Sequence, residues 1–195
     1  MKNYPAFLAI GSFFSTIEEF LTIVACRHEV GTFIFTTLIV WPVVLTIVYW
    51  TSRLVDRGFA TERAREMAHF LVWGAVGLLT EWFLMAPPLA PWNMLGQVSW
   101  PVVLVFQLGM CSFWTTVTTA PRLFLNADET HRRTKKRILR FYVPFFALAY
   151  LIVFALPDRA RLVPTVGLII LGHLIVNSIM ITTWLHADSP RATAM

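Results

Sequence analysis

Six stretches of the chain are apolar for most of their length: 6–26, 33–49, 69–86, 98–119, 142–156 and 162–185. Each approaches or exceeds the roughly 20 residues that cross a bilayer as a helix, and the fifth reaches that length if Phe141 and Pro157 are counted. The pattern predicts an all-α protein, a six-helix transmembrane bundle forming a single integral membrane domain over residues 1–195. Composition agrees: 57% of residues are hydrophobic and 14% charged, with mean hydropathy +0.65, whereas about a quarter of a soluble domain is charged.

The net charge of +5 is distributed by loop. With the N-terminus inside, only Arg27, Arg159 and Arg161 of the 16 Lys and Arg residues fall outside. This asymmetry predicts that both termini are cytoplasmic and that the bundle sits in the cell inner (cytoplasmic) membrane. The run His131–Arg137, HRRTKKR, then lies against anionic lipid headgroups. It lacks the interleaved stacking aromatics of a nucleic-acid surface, so membrane lipids are the expected partners and nucleic acid is not. Lys2 ahead of an apolar run ending IVAC resembles a lipoprotein signal, but Glu18 and Glu19 inside the run favour a retained span. Cys26 and Cys111 are placed too far apart for a disulfide.

The pentapeptide WPVVL occurs at Trp41–Leu45 and again at Trp100–Leu104. In the helix before each copy, Gly11, Glu18, Phe20 and Leu21 match Gly74, Glu81, Phe83 and Leu84. These ordered matches predict a duplicated helical hairpin (helices 1-2 and 3-4, about 6–52 and 69–119), followed by a divergent third hairpin at 141–185. Units separated by an even number of helices cross in the same direction, so Glu18 and Glu81 are expected at one depth. An ionisable group there costs at least ~2.5 kcal/mol on insertion scales and normally faces the bundle interior. The structural alternative is that the acids are hydrogen-bonded links between helices. Glu19 has no counterpart, since Trp82 holds its place.

Pro42 and, by the repeat, Pro101 are expected inside helices, freeing the carbonyls of Leu38 and Gln97. A helical end to the segment Ala86–Trp100 would set Asn93 and Gln97 on one face, with Gln97 against a cavity holding Glu18 and Glu81. His173 and Asn177 share a face of the sixth helix near the same depth, with His173 either a hydrogen-bonded packing residue or a proton-accepting partner or metal ligand. His173 and His186 have a spacing near that of haem-binding pairs, but no second helix carries a matching pair. No cofactor and no metal site is expected. Trp82, Trp92 and Trp100 gather toward the outer face, either as an interfacial belt or as walls for an apolar ligand.

Three chemistries suit this set. In the favoured one, Glu18, Glu81 and His173 are catalytic acids and bases, while Glu19, Trp82, Asn93, Gln97, Trp100 and Asn177 bind a hydrophobic small molecule, an isoprenoid or terpenoid, for a cyclase- or isomerase-like reaction. Ile17–Phe20, IEEF, resembles the paired-glutamate motif of membrane-bound lycopene cyclases, though without the proline usual before the pair, and the acid beside tryptophan in Thr80–Phe83, TEWF, resembles that of small membrane terpene cyclases. Neither resemblance extends along the chain, and no family is assigned from them. The second chemistry is proton- or cation-coupled transport, for which six helices would call for a homo-oligomer. The third is a non-catalytic subunit of a larger membrane complex that binds lipid, quinone or pigment.

Overall fold

A computed structural model describes residues 3–127 and 129–187, without the side chains at 130, 186 and 187. Lys2, Arg191 and the imidazole of His186 therefore lie outside the described residues. The chain forms α1 (Tyr4–Cys26), α2 (Val30–Arg57), α3 (Glu62–Met85), α4 (Trp100–Leu125), α5 (Glu129–Ala155) and α6 (Asp158–Ala187). Each contains a stretch long and apolar enough to span a bilayer, so this is a multi-pass membrane protein. Six spans return the chain to the side where α1 begins, here called the near side.

The helix in the middle is α4, which packs on α1, α3 and α6; α2 lies against α1, and α5 against α6. Of its most apolar stretch, 61% is buried, compared with 17% for α2. Apolar side chains gain little from helix contact in lipid, so close approach depends on small and hydroxyl-bearing residues. Buried α4 positions include Gly109, Ser112, Thr115, Thr116, Thr118 and Thr119. A Cβ on Gly109 would lie 2.2 Å from Ile170 Cγ1, which measures how tightly α4 and α6 meet. The large apolar side chains left exposed, among them Leu38, Leu54, Leu84, Leu151 and Val163, form the lipid-facing surface.

Helix ends follow ordinary capping chemistry. Asn3 Oδ1 accepts from Ala6 N at the start of α1, and Thr61 Oγ1 accepts from Ala64 N at the start of α3. On the far side, Arg161 donates to Ala25 O and Leu156 O, placing a cation over the C-terminal carbonyls of α1 and α5.

The first three helices widen locally into π-helical turns, at Phe20–Cys26, Thr36–Val40 and Glu81–Met85. In α2 the Trp41 N–H reaches back five residues to Thr36 O immediately before Pro42. A wider turn there relieves the clash between a proline ring and the preceding turn.

The two WPVVL segments occupy unlike positions. Pro42 is within a span as expected, but Pro101 stands in the first turn of α4, where its missing N–H costs nothing. Ser99 is extended ahead of it, so no carbonyl of Gln97 is freed by a kink. The polar segment ahead of α4 is also less helical than its sequence spacing suggests. Proline at 87, 88 and 91 breaks it into a 3₁₀ turn (Pro87–Leu89), one helical turn (Pro91–Met94) and a reversal through Gly96 at φ 110°. That φ favours glycine because it has no Cβ to clash.

Candidate functional site

A cavity of about 400 Å³ opens in the far half of the bundle, and Glu18, Glu19 and Glu81 all line it. Glu18 and Glu19 come from α1 just before its π-helical turn, and Glu81 opens the π-helical turn of α3. Phe106, Met110 and Phe113 of α4 and Leu162, Val166, Ile169 and Ile170 of α6 make the apolar walls. Arg27, Thr22, Thr32 and Thr36 add polar groups. Arg27 itself is exposed and pairs with Glu29 at 3.0 Å.

The three carboxyls are held differently. Trp41 Nε1 donates to Glu19 Oε1 at 2.9 Å, and Thr36 Oγ1 donates to Glu19 Oε2 at 3.3 Å. Trp114 Nε1 donates to Glu81 Oε1 at 3.1 Å. The two indoles are themselves neighbours, with ring centroids 5.0 Å apart. An indole N–H can only donate, so it fixes a carboxyl oxygen as acceptor and orients the group. Among the described residues, no side chain hydrogen-bonds the carboxyl of half-buried Glu18.

Gly77 allows Trp114 this position. A Cβ at Gly77 would come within 2.1 Å of Trp114 Cγ, and the indole is itself buried. Gly77→Ala is therefore expected to destabilise the protein by about 1–3 kcal/mol through overpacking and to displace the Glu81 donor. Equilibrium unfolding in detergent, with tryptophan fluorescence reporting on the indole, checks both effects.

The remaining sequence-selected residues lie elsewhere. Gln97 is exposed and donates to Asn93 O, while Asn93 Nδ2 donates to Pro87 O, so both tie the broken connection together rather than reaching the cavity. Trp100 is 67% exposed at the start of α4. Trp82 Nε1 donates to Gln107 Oε1, and Gln107 Nε2 donates to Leu89 O; the glutamine that braces the far connection is thus Gln107. Asn177 is consumed in packing: its Nδ2 donates to Ser112 O, Ser112 Oγ and Thr115 Oγ1, and its Oδ1 accepts from Thr116. Asn177→Leu should leave Ser112 Oγ without this partner, while Thr115 and Thr116 keep their bonds within α4, and cost about 1–3 kcal/mol, measurable by the same unfolding experiment. His173 is fully buried and does not line the cavity.

A second polar cluster, at the near end, was not singled out from the sequence. Arg122 Nη2 lies 2.8 Å from Asp56 Oδ1 and 2.9 Å from Glu66 Oε1, joining α4 to α2 and α3. His69, near the start of α3, is fully buried. Its Nε2 is 2.9 Å from Asp56 Oδ1, and its Nδ1 accepts from Trp73 Nε1 at 3.3 Å. Because the indole can only donate, the ring proton facing Asp56 sits on Nε2. The available signal was spacing: Glu66, His69 and Trp73 recur at helical intervals on one face of α3.

Among the described residues, no group of three His, Cys, Asp or Glu side chains is arranged to hold a metal ion. Comparison of the chain with protein-family models, curated proteins and solved structures returned no match.

Proposed function

We propose that this protein is an inner-membrane enzyme that rearranges an apolar, unsaturated molecule of isoprenoid type by acid–base chemistry, with both termini cytoplasmic. The carrying observation is the set of three carboxyls within one otherwise largely apolar cavity, two of them oriented by indoles and Glu18 left untethered. In this reading Glu18 is the general acid, Glu81 the general base, and Glu19 a fixed acceptor that biases the proton's position. The matching Gly-x6-Glu-x-Phe-Leu stretches of α1 and α3 supply the acid and the base, consistent with an origin by hairpin duplication.

The protonated carboxyl of Glu18 transfers its proton to one carbon of a double bond, whose π pair forms the new C–H bond. The adjacent carbon becomes cationic within a cavity that the Phe106 and Phe113 rings line, and aromatic rings can stabilise such a charge. Glu81 carboxylate then removes a proton from a neighbouring carbon, and that C–H pair becomes the new double bond. If a second double bond attacks the cation first, a ring closes before the proton leaves. Glu18 ends ionised and Glu81 protonated; Glu81 gives its proton to water and Glu18 takes one up from water, which resets the site. No electron is gained or lost.

Gently purified protein, extracted and analysed by mass spectrometry, tests the proposal. Wild type is expected to carry a specific apolar molecule that Glu81→Gln releases or carries in unconverted form. Wild type without an apolar molecule, or with one unchanged in the variant, would overturn it.

Proton- or cation-coupled transport is the second reading, favoured by the π-helical segments that border the cavity on three helices. Such segments are frequent at functional sites. Proton uptake into proteoliposomes that depends on Glu18, without chemical change in any lipid, would select it.

A further inference from the structure

The cavity walls on α6 form a single stripe: Leu162, Val166, Ile169 and Ile170. The next residue on that stripe, three or four positions on, is His173. Its ring is fully buried, and neither Nδ1 nor Nε2 has a hydrogen-bond partner. A neutral imidazole carries one donor and one acceptor, and leaving both unmade inside a bundle is costly. Among the described residues, the other unpartnered buried groups, Thr37 Oγ1, Ser52 Oγ and Trp184 Nε1, leave one atom each.

Rings surround this imidazole on several sides: Phe113 at 5.3 Å, Phe146 at 5.7 Å and Tyr142 at 6.0 Å between centroids. The Tyr142 hydroxyl is engaged elsewhere, donating to Phe14 O. Phe113 belongs to both places, since it lines the cavity and packs edge-on against His173. Phe113 thus borders both the cavity and a polar group that has no hydrogen-bond partner among the described residues.

We propose that His173 anchors a polar end group, a hydroxyl or carbonyl, of the molecule that fills the cavity, the Phe113 ring turning aside to admit it. The inference rests on the function proposed above and narrows its substrate class to apolar unsaturated molecules with one hydrogen-bonding terminus. A pure hydrocarbon would leave the imidazole unpaired. A hydroxyl can accept from the ring N–H or donate to the bare nitrogen, and a carbonyl can accept, so either removes an unmade bond. The polar terminus would also fix which double bond lies beside Glu18. His173 then acts as a positioning residue for the reaction.

The test measures binding of geranylgeraniol, and of the matching hydrocarbon lacking its hydroxyl, to purified protein in nanodiscs. Wild type is expected to prefer the alcohol by about tenfold, the worth of one buried hydrogen bond. His173→Leu should abolish the preference while retaining hydrocarbon binding, and His173→Gln, which keeps a donor and an acceptor, should restore part of it. In wild-type protein labelled with ¹⁵N-histidine, the alcohol and not the hydrocarbon should shift the His173 ring resonances. That measurement serves even if a variant fails to fold. Equal affinity for the two probes, or a preference that survives in His173→Leu, would overturn the anchoring role and leave the proposed chemistry standing. Failure of wild type to bind either probe would overturn both.

Discussion

Glu18→Gln is expected to lower turnover by about 10²- to 10⁴-fold, the range lost when a positioned general acid is removed, with little change in substrate binding or stability. The asymmetry between its neighbours underlies this expectation. Glu19 accepts from Trp41 and Thr36, and Glu81 accepts from Trp114, so changing either group alters a hydrogen-bonded link between helices as well as any chemistry. Glu18 has no such side-chain bond, and glutamine matches its shape while losing its transferable proton. The measurement is deuterium incorporation into product by proteoliposomes in D₂O: a proton delivered by Glu18 exchanges with solvent between turnovers, so wild-type product should carry deuterium at the protonated carbon. Glu18→Gln should yield almost none and retain its unfolding midpoint. Full activity in Glu18→Gln alongside loss in Glu19→Gln would move the acid to Glu19 and remove the argument from tethering.

The spans were legible because crossing a bilayer requires length and apolarity, both of which are properties of sequence alone. The glutamates were legible for the same reason, since a carboxyl in mid-span stands out against its neighbours, and the three do line one cavity. What the sequence hid were pairings between helices. Asn177 and His173 share a face of α6, yet Asn177 bonds the hydroxyls of α4 while His173 packs against the rings of Phe113 and Phe146. Gln97 and Gln107 are alike in chemistry. Only the break at Gly96 and the late start of α4 at Trp100 decide that the second is braced inside and the first exposed. The indole donors were hidden too: Trp41 is one of the repeated WPVVL tryptophans, but its counterpart Trp100 faces outward, and Trp114, outside that pentapeptide, binds Glu81. A repeat in sequence constrains helix order and direction; it does not constrain which neighbour each helix meets in a bundle where α4 is central and α2 peripheral.

Arg122→Met is expected to cost about 3–5 kcal/mol, the usual penalty for removing one partner of a buried ion cluster, and to be the most destabilising single change at the near end. The Arg122 side chain is 9% exposed and that of Glu66 11%, while Asp56 is 30% exposed. Glu66 therefore has the least access to replacement water, and its stranded carboxylate should account for more of the loss than Asp56, which keeps His69 Nε2 as a donor. The sign follows from desolvation: a buried charge is tolerable when paired, but removing its partner leaves the transfer penalty with nothing to offset it. Adding Glu66→Gln to Arg122→Met should accordingly recover part of the stability, whereas adding Asp56→Asn should recover less, because it also disturbs the His69–Trp73 pair. A double-mutant cycle on reversible unfolding in detergent measures both couplings. Two independent, additive losses would show that Arg122 and Glu66 contribute separately rather than as one cluster. The consequence reaches the other end of the bundle, because α2 carries Trp41 and Thr36 and α3 carries Glu81. Loosening the near-end junction of α2, α3 and α4 frees the helices that aim both tethered carboxyls, so Arg122→Met should also impair any Glu18-dependent chemistry without touching the cavity.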